Sequence, residues 1–234
     1  MGIVMSTVFC VLAAALMVLR PEQLPLRDYL KLEGTQLDLR GTDATDDDLR
    51  PLAGDEFRAV TSVLLASTRV GDNGLKHLAK LALLQLDLGR TNVTSAGLEH
   101  VARLPIERLE LTGTAVDDRG LAYLTSMPLR IVVLRDTKIT GVGLGAFAGD
   151  DLKILDLAHT RVGDASLAEL QKVKRLDTLT LSETAVTDRG LQHLGSIPGL
   201  RSMDLSGTAV TETAVAGFRR AHPTIEVSTK RPTR

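Results

Sequence analysis

Thr42, Thr68, Thr91, Thr114, Thr137, Thr160, Thr184 and Thr208 follow one another at spacings of 26, 23, 23, 23, 23, 24 and 24 residues. Each opens a near-copy of one stretch: TRVGDNGLKHL from Thr68, TNVTSAGLEHV from Thr91, TAVDDRGLAYL from Thr114 and TAVTDRGLQHL from Thr184. A fixed period of this length restricts a chain to architectures in which one small unit stacks on the next, because no unit buries its apolar side alone.

Each copy has two halves. Before the Thr stand apolar pairs two residues apart: Leu37 and Leu39, Leu86 and Leu88, Leu109 and Leu111, Leu155 and Leu157, Leu179 and Leu181. That spacing predicts a short strand with one buried face. Val63 and Leu65, Val132 and Leu134, and Met203 and Leu205 are looser versions. After the Thr the apolar spacing becomes helical, as in Val116, Leu121 and Leu124, or Val186, Leu191 and Leu194. Thr45-Asp46, Asp117-Asp118, Gly163-Asp164 and Thr187-Asp188 stand where a helix begins. Oxygens there accept from the orphan N–H groups of a first turn, and a carboxylate suits the positive end of the helix dipole.

LKILDLAHTRV, Leu152 to Val162, matches the pattern L-x-x-L-x-L-x-x-N/C/T-x-L position by position. The chain therefore resembles the leucine-rich repeat family. Its second half, T-D-x-G-L-x-x-L, is similar to the cysteine-containing subclass of bacterial and F-box-associated repeats, with Thr where that subclass has Cys or Asn. The resemblance implies an α/β solenoid, a horseshoe of about eight 23–26-residue repeats with a parallel concave sheet and convex helices. It also implies that each Thr is buried after its strand, its hydroxyl bonded to loop backbone. The ends depart as capping units should: Gly34 replaces the first Leu of copy one, and Ala214-Val215 replaces Gly-Leu in copy eight. The expected organisation is a repeat domain over 34–227, a linker over 21–33 with one helical turn, a last edge strand at Ile225-Glu226-Val227, and a disordered basic tail over 228–234.

Composition narrows the function. Aromatic residues are 3% of the chain and Trp is absent, so Leu and Val build the core and no stacking surface for nucleic-acid bases is expected. A net charge of −1 sets up no field towards nucleic acid or an acidic membrane. Cys10 is the one cysteine, which excludes a disulfide framework or a thiolate metal site.

Residues Ile3 to Leu19 carry no charge for 17 residues. As a helix that run reaches about 25 Å, close to a bilayer core. The expectation for 1–20 is an N-terminal apolar helix serving as a single-pass membrane anchor, with a removable signal peptide and a mis-assigned start as alternatives. The n-region is only Met1-Gly2, and Ala13 to Ala15 is followed by more apolar residues, which speaks against cleavage. Arg20, Arg27 and Lys31 all follow the segment and favour a cytoplasmic repeat domain, whereas cleavage places the repeats outside. Apolar neighbours on both sides make Cys10 a poor lipid attachment site.

Chemistry is hard to find. His77, His100 and His193 share one helix column, yet no carboxylate completes a metal site there. No nucleophile elbow, phosphate loop or zinc motif occurs, so no catalytic, cofactor or metal residue is expected. Asn92-Val93-Thr94 is a glycosylation sequon that reads as an accident of the repeat turn.

The outer sheet face says more. Residues six, four and two before each Thr point away from the core. The middle column reads Asp38, Leu64, Asp87, Glu110, Val133, Asp156, Thr180 and Asp204, five of the eight acidic. Ile131, Val133 and Ile154 interrupt it on neighbouring strands, with Arg108, Glu110, Arg135, Asp156 and His159 around them. An apolar centre inside a charged rim is the anatomy of a protein-binding hot spot. The expected function is a membrane-anchored, monomeric module that binds a protein partner on the concave face. The alternative is a scaffolding repeat of the cell envelope. An F-box-like ubiquitin-ligase adaptor is a remote third, since too few residues precede the repeats for its helical module.

Overall fold

The computed structural model describes residues 26–31, 34–147 and 152–230. The apolar run Ile3–Leu19 and the anchor expected of it lie outside them, as do residues 231–234 of the expected tail. Among the described residues no helix is long and apolar enough to cross a membrane.

In the described residues ten strands form one open sheet in chain order. They are β1 (Leu30–Lys31), β2 (Gln36–Asp38), β3 (Ser62–Leu64), β4 (Gln85–Asp87), β5 (Arg108–Glu110), β6 (Ile131–Val133), β7 (Ile154–Asp156), β8 (Thr178–Thr180), β9 (Ser202–Asp204) and β10 (Glu226–Ser228). From β2 onward every pair is parallel and in the register that the Thr spacing demands, for example Ile131 beside Ile154. The sheet is not wholly parallel, however. Within 21–33, a 3₁₀ turn at Leu26–Tyr29 leads into β1, which pairs antiparallel with β2 and covers the first edge. The far edge is β10 against β9, one residue later than Ile225–Val227. There Arg219 Nη2 donates to Val227 O at 2.7 Å and occupies a carbonyl that a further chain would otherwise take.

The other layer is thinner than the apolar spacing suggests. It holds α1 (Asp72–Leu75), α2 (Asp118–Leu124), α3 (Asp164–Leu167), α4 (Asp188–Leu194) and α5 (Glu212–Ala221), with 3₁₀ turns instead at Asp47–Ala53, Gly97–His100 and Leu144–Phe147. Strands repeat every ~4.8 Å but an α-helix is ~10 Å wide, so the narrower 3₁₀ coil eases the mismatch on the helical side.

The core is the set of residues five and three before each Thr, which form two continuous apolar ladders. Leu37, Leu86, Leu109, Val132, Leu155 and Leu179 are fully buried in one, and Leu39, Leu65, Leu88, Leu111, Leu134, Leu157 and Leu181 in the other. The backbone of the second ladder donates to the next strand at 2.8–2.9 Å, for example Leu111 N–H to Val133 O and Leu134 N–H to Asp156 O.

The Thr column is buried from Thr68 to Thr184 as the resemblance implies, Thr42 and Thr208 in the end copies being half-buried, and the bond is specific. All eight hydroxyls donate to the carbonyl three residues back, from Thr42 on Leu39 to Thr208 on Leu205, at 2.5–2.8 Å. In copies one to four and in copy eight the Thr N–H donates to that same carbonyl, as Thr114 does to Leu111 O at 3.2 Å, so those turns are closed twice on one acceptor. Just before the Thr sits a left-handed residue in every copy: Gly41, Ser67, Arg90, Gly113, Asp136, His159, Glu183 and Gly207, with φ from 54° to 71°. Five of these carry a side chain, so the turn geometry outweighs a conformational cost of roughly 1–2 kcal/mol per residue.

Thr114→Val keeps the shape but removes the hydroxyl bond. Because the Leu111 carbonyl retains its N–H partner, the expected loss is about 1 kcal/mol, read as a lower urea midpoint at unchanged slope. A loss above about 3 kcal/mol would show that the hydroxyl holds more than its own turn.

Candidate functional site

The three-residue strands place Ile131, Val133 and Ile154 side by side. Ile131 lies opposite Ile154, Val133 opposite Asp156, Arg108 opposite Ile131 and Glu110 opposite Val133. All three aliphatic residues are half-buried, with Val132 and Leu155 between them fully inside. Leu64, which shares the Val133 column, is only 4% exposed and so offers no surface. Two of the three expected outward columns face out. The column two before the Thr does so only at Arg40, Ala66, Thr112 and Arg135, whereas Gly89, Ala158, Ser182 and Ser206 are buried. There the chain is already leaving the strand for the turn.

Arg135 and Asp156 form an ion pair at 3.0 Å across β6 and β7. Arg108 is exposed beside Ile131. His159 is exposed too, but it stands in the left-handed turn column, and its side chain makes no hydrogen bond or ion pair to the other seven residues. The structure therefore gathers seven of the eight expected residues on one face and leaves His159 at its margin.

The acidic column has a second occupation that the sequence alone hides. Each carboxylate accepts from the backbone N–H two residues on: Asp38 from Arg40 at 3.3 Å, Asp87 from Gly89 at 3.0 Å, Glu110 from Thr112 at 3.0 Å, Asp156 from Ala158 at 2.9 Å and Asp204 from Ser206 at 2.9 Å. These N–H groups follow the last strand residue. The column thus caps the strand-to-turn transition, and its charge is first of all structural. Two sites depart electrostatically. Arg40 donates to Asp38 at 2.9 and 2.8 Å and holds that carboxyl well below the usual range, helped by Lys31. Burial pushes Glu110 up, against bonds from the Thr112 hydroxyl and N–H, and the nearby Asp87 and Asp156 push the same way.

A further set of carboxylates joins neighbouring copies. The Asp four residues after the Thr was expected to serve its own helix, but it reaches instead into the next copy. Asp164 accepts from Thr187 N–H at 2.8 Å and Thr187 Oγ1 at 2.6 Å, and Asp188 accepts from Thr211 N–H at 2.7 Å and Thr211 Oγ1 at 2.9 Å. Asp72 serves Thr94, Asp118 serves Thr140, and Asp46 accepts from Gly71 N–H at 2.6 Å. Between copies three and four Ser95 takes the place, accepting from Asp117 N–H at 3.0 Å and donating to Asp117 Oδ1 at 2.7 Å. The capping side chains of Asp117, Thr187 and Thr211 do close their own helices. The glycine of T-D-x-G-L makes room for the incoming carboxylate: a Cβ on Gly190 would lie 2.5 Å from Asp164 Oδ1, and one on Gly74 2.7 Å from Asp46 Oδ1.

Among the described residues the most exposed large apolar side chains, Leu84 at 46% and Val142 at 70%, lie outside the expected patch. Val142 belongs to Gly141-Val142-Gly143, beside a cleft of about 520 Å³ lined also by Gly163, Ser166 and Glu169. Sequence reasoning missed this feature, although its signal was present: this copy alone puts Gly in the place of Asp, Ser or Glu. His77, His100 and His193 are half-buried, and among the described residues no three His, Cys, Asp or Glu side chains converge to hold a metal ion.

No family model matches the sequence, and no curated protein matches it either. Solved structures do match the fold. Internalin C2 from Listeria monocytogenes superposes with a TM-score of 0.62 at 23% identity, covering 84% of this chain and 80% of that one. A plant peptide hormone receptor, RGFR1 in complex with RGF2, superposes with a TM-score of 0.53 at 16% identity, covering 84% of this chain and 32% of that one. These likenesses show the fold, that of the leucine-rich repeat proteins, and at such identities they carry the fold alone.

The raised Glu110 has a pH consequence with a definite sign. A carboxyl whose folded pKa exceeds its unfolded value contributes stability that is full below the unfolded range and lost as pH rises through the folded value. Glu110→Gln keeps an acceptor for Thr112 but carries no charge. Its stability relative to the parent should therefore rise over the pH window that opens above the ordinary glutamate range of about 4, read by thermal melts at fixed ionic strength. A flat difference across that window would mean that Glu110 is not strained by its setting.

Proposed function

We propose that this protein is a binding module that presents the outer, concave face of its sheet to a protein partner, and that it performs no catalysis. Ile131, Val133 and Ile154 act as the apolar anchor, with Arg108, Glu110, Arg135 and Asp156 as the polar surround and His159 at its edge. The observation that carries this reading is the side-by-side placement of three half-exposed β-branched residues on β6 and β7, on a face otherwise polar. Aliphatic side chains desolvated inside a charged rim are where interfaces concentrate their energy. The fold supports the reading in general terms, and one structural neighbour is itself a peptide hormone receptor in complex with RGF2.

The proposal extends to organisation. Residues 34–227 form eight repeats of the T-D-x-G-L type, a subclass supported by stretches such as Thr187 to Leu191. The solenoid works as a monomer, tethered to a membrane by an uncleaved Ile3–Leu19. The length of that uncharged run and the lack of a good cleavage signature support the tether.

Two measurements test these statements separately. For a partner isolated with the full chain, Val133→Asp or Ile154→Asp should weaken binding by at least about 2 kcal/mol, roughly 30-fold in Kd by calorimetry. Stability should move by less than about 0.5 kcal/mol, because outward positions contribute little to the core. Parental affinity in a folded Val133→Asp variant would remove this patch from the interface. Mass spectrometry of the mature N-terminus should find the first twenty residues intact. A chain beginning at Leu16 or later would replace the tether with a removed signal peptide and put the repeats outside the cytoplasm.

A further inference from the structure

Among the described residues a side-chain link joins the copies at six of the seven joints, through an Asp carboxylate at five and Ser95 at one, and is missing at the seventh. Between copies five and six the accepting position is Gly141, which has no side chain to offer Gly163 N–H. The receiving position has changed with it. Where the neighbouring copies have Gly120, Gly143 and Gly190, copy six has Ser166, whose Cβ would collide with any Cβ built on Gly141. Ser166 Oγ donates to Gly163 O at 2.8 Å, within its own turn, and does not restore the link. The cleft beside Val142 opens at this joint. On the sheet side the same two copies stay tied by the β6–β7 ladder and the Arg135–Asp156 pair.

A solenoid's stability is close to a sum of terms between neighbours, so one weak joint divides it into units that open separately. We propose that the joint between copies five and six is a built-in hinge, closed along β6 and β7 and free to open on the side of Gly141 and Gly163. The joint opens before its internal neighbours do. Ile131 and Val133 lie on one side of it and Ile154 on the other, so the hinge angle sets the spacing of the anchor. Only this last consequence rests on the proposed binding function; the hinge itself does not.

The fold supplies a matched reporter at every joint. The residue after each Thr donates its N–H to the previous copy: Lys138 to Val116 O at 2.9 Å, Arg161 to Ile139 O at 2.9 Å and Ala185 to Val162 O at 3.0 Å. The three bonds are alike in length, and only that of Arg161 spans the unlinked joint. Native-state hydrogen exchange on the full chain, corrected for intrinsic rates, should find the Arg161 amide at least about tenfold less protected than those of Lys138 and Ala185. Equal or greater protection at Arg161 overturns the proposal. Asp164→Ala removes the link between copies six and seven, and should bring Ala185 down towards the protection of Arg161. If that variant folds and leaves Ala185 as protected as before, the carboxylate links do not set joint stability, and the hinge reading fails. Because the readout is an amide in the free protein, it is independent of whether Val133 contacts a partner.

Discussion

A three-residue strand and a one- or two-turn helix cannot hold themselves in water; each copy exists because the next one covers its apolar side and completes its backbone hydrogen bonds. Leu109 is buried only because Leu86 and Val132 lie on either side of it. This neighbour-only dependence sets every other feature. It requires a constant register, so any polar group near the core recurs once per copy and needs a partner that recurs with it. The Thr meets that demand inside its own copy by donating its hydroxyl to the carbonyl three residues back. The Asp meets it between copies, accepting backbone N–H groups that the sheet no longer reaches.

The same logic changes the meaning of charge on the outer face. Five carboxylates in one column look like a recognition field, yet each caps a backbone N–H two residues ahead. Copy five, with Val133 in that column, forgoes such a cap and places an aliphatic group at the surface instead. Ile131 and Ile154 extend it along and across the strands. Local capping and surface chemistry thus compete for one position, and only copy five resolves the competition with an aliphatic left half-exposed; Leu64 in copy two is covered.

Copy five departs twice, on two sides of the same layer. Its outer face carries Ile131 and Val133, two of the three residues of the proposed anchor, and its lateral turn reads Thr140-Gly141-Val142-Gly143 with no carboxylate to pass on. Burial of Leu144 and Phe147 keeps its core term intact, so the loss falls on the polar link rather than on packing. The proposed interface and the proposed soft joint are physically compatible in one copy, because the first uses the sheet face and the second the turn.

Taken by itself, the sequence determined the unit, its register and its buried faces. L-x-L before a Thr at 23-residue spacing leaves one way to bury both leucines, and counting back from Thr137 and Thr160 sets Ile131, Val133 and Ile154 on the opposite face, where they lie half-buried. Other features needed the third dimension, for reasons particular to each. The left-handed column was invisible because five of its eight members are not glycine, and a turn that imposes φ leaves no compositional trace when stacking outweighs the strain. The role of Asp164 and Asp188 was misassigned because a helix-start Asp looks the same whether it serves its own helix or the next copy; only stacking brings Thr187 and Thr211 within reach. The first strand's antiparallel pairing and the 3₁₀ turns followed from edge covering and from layer widths, quantities that exist only once the copies are stacked.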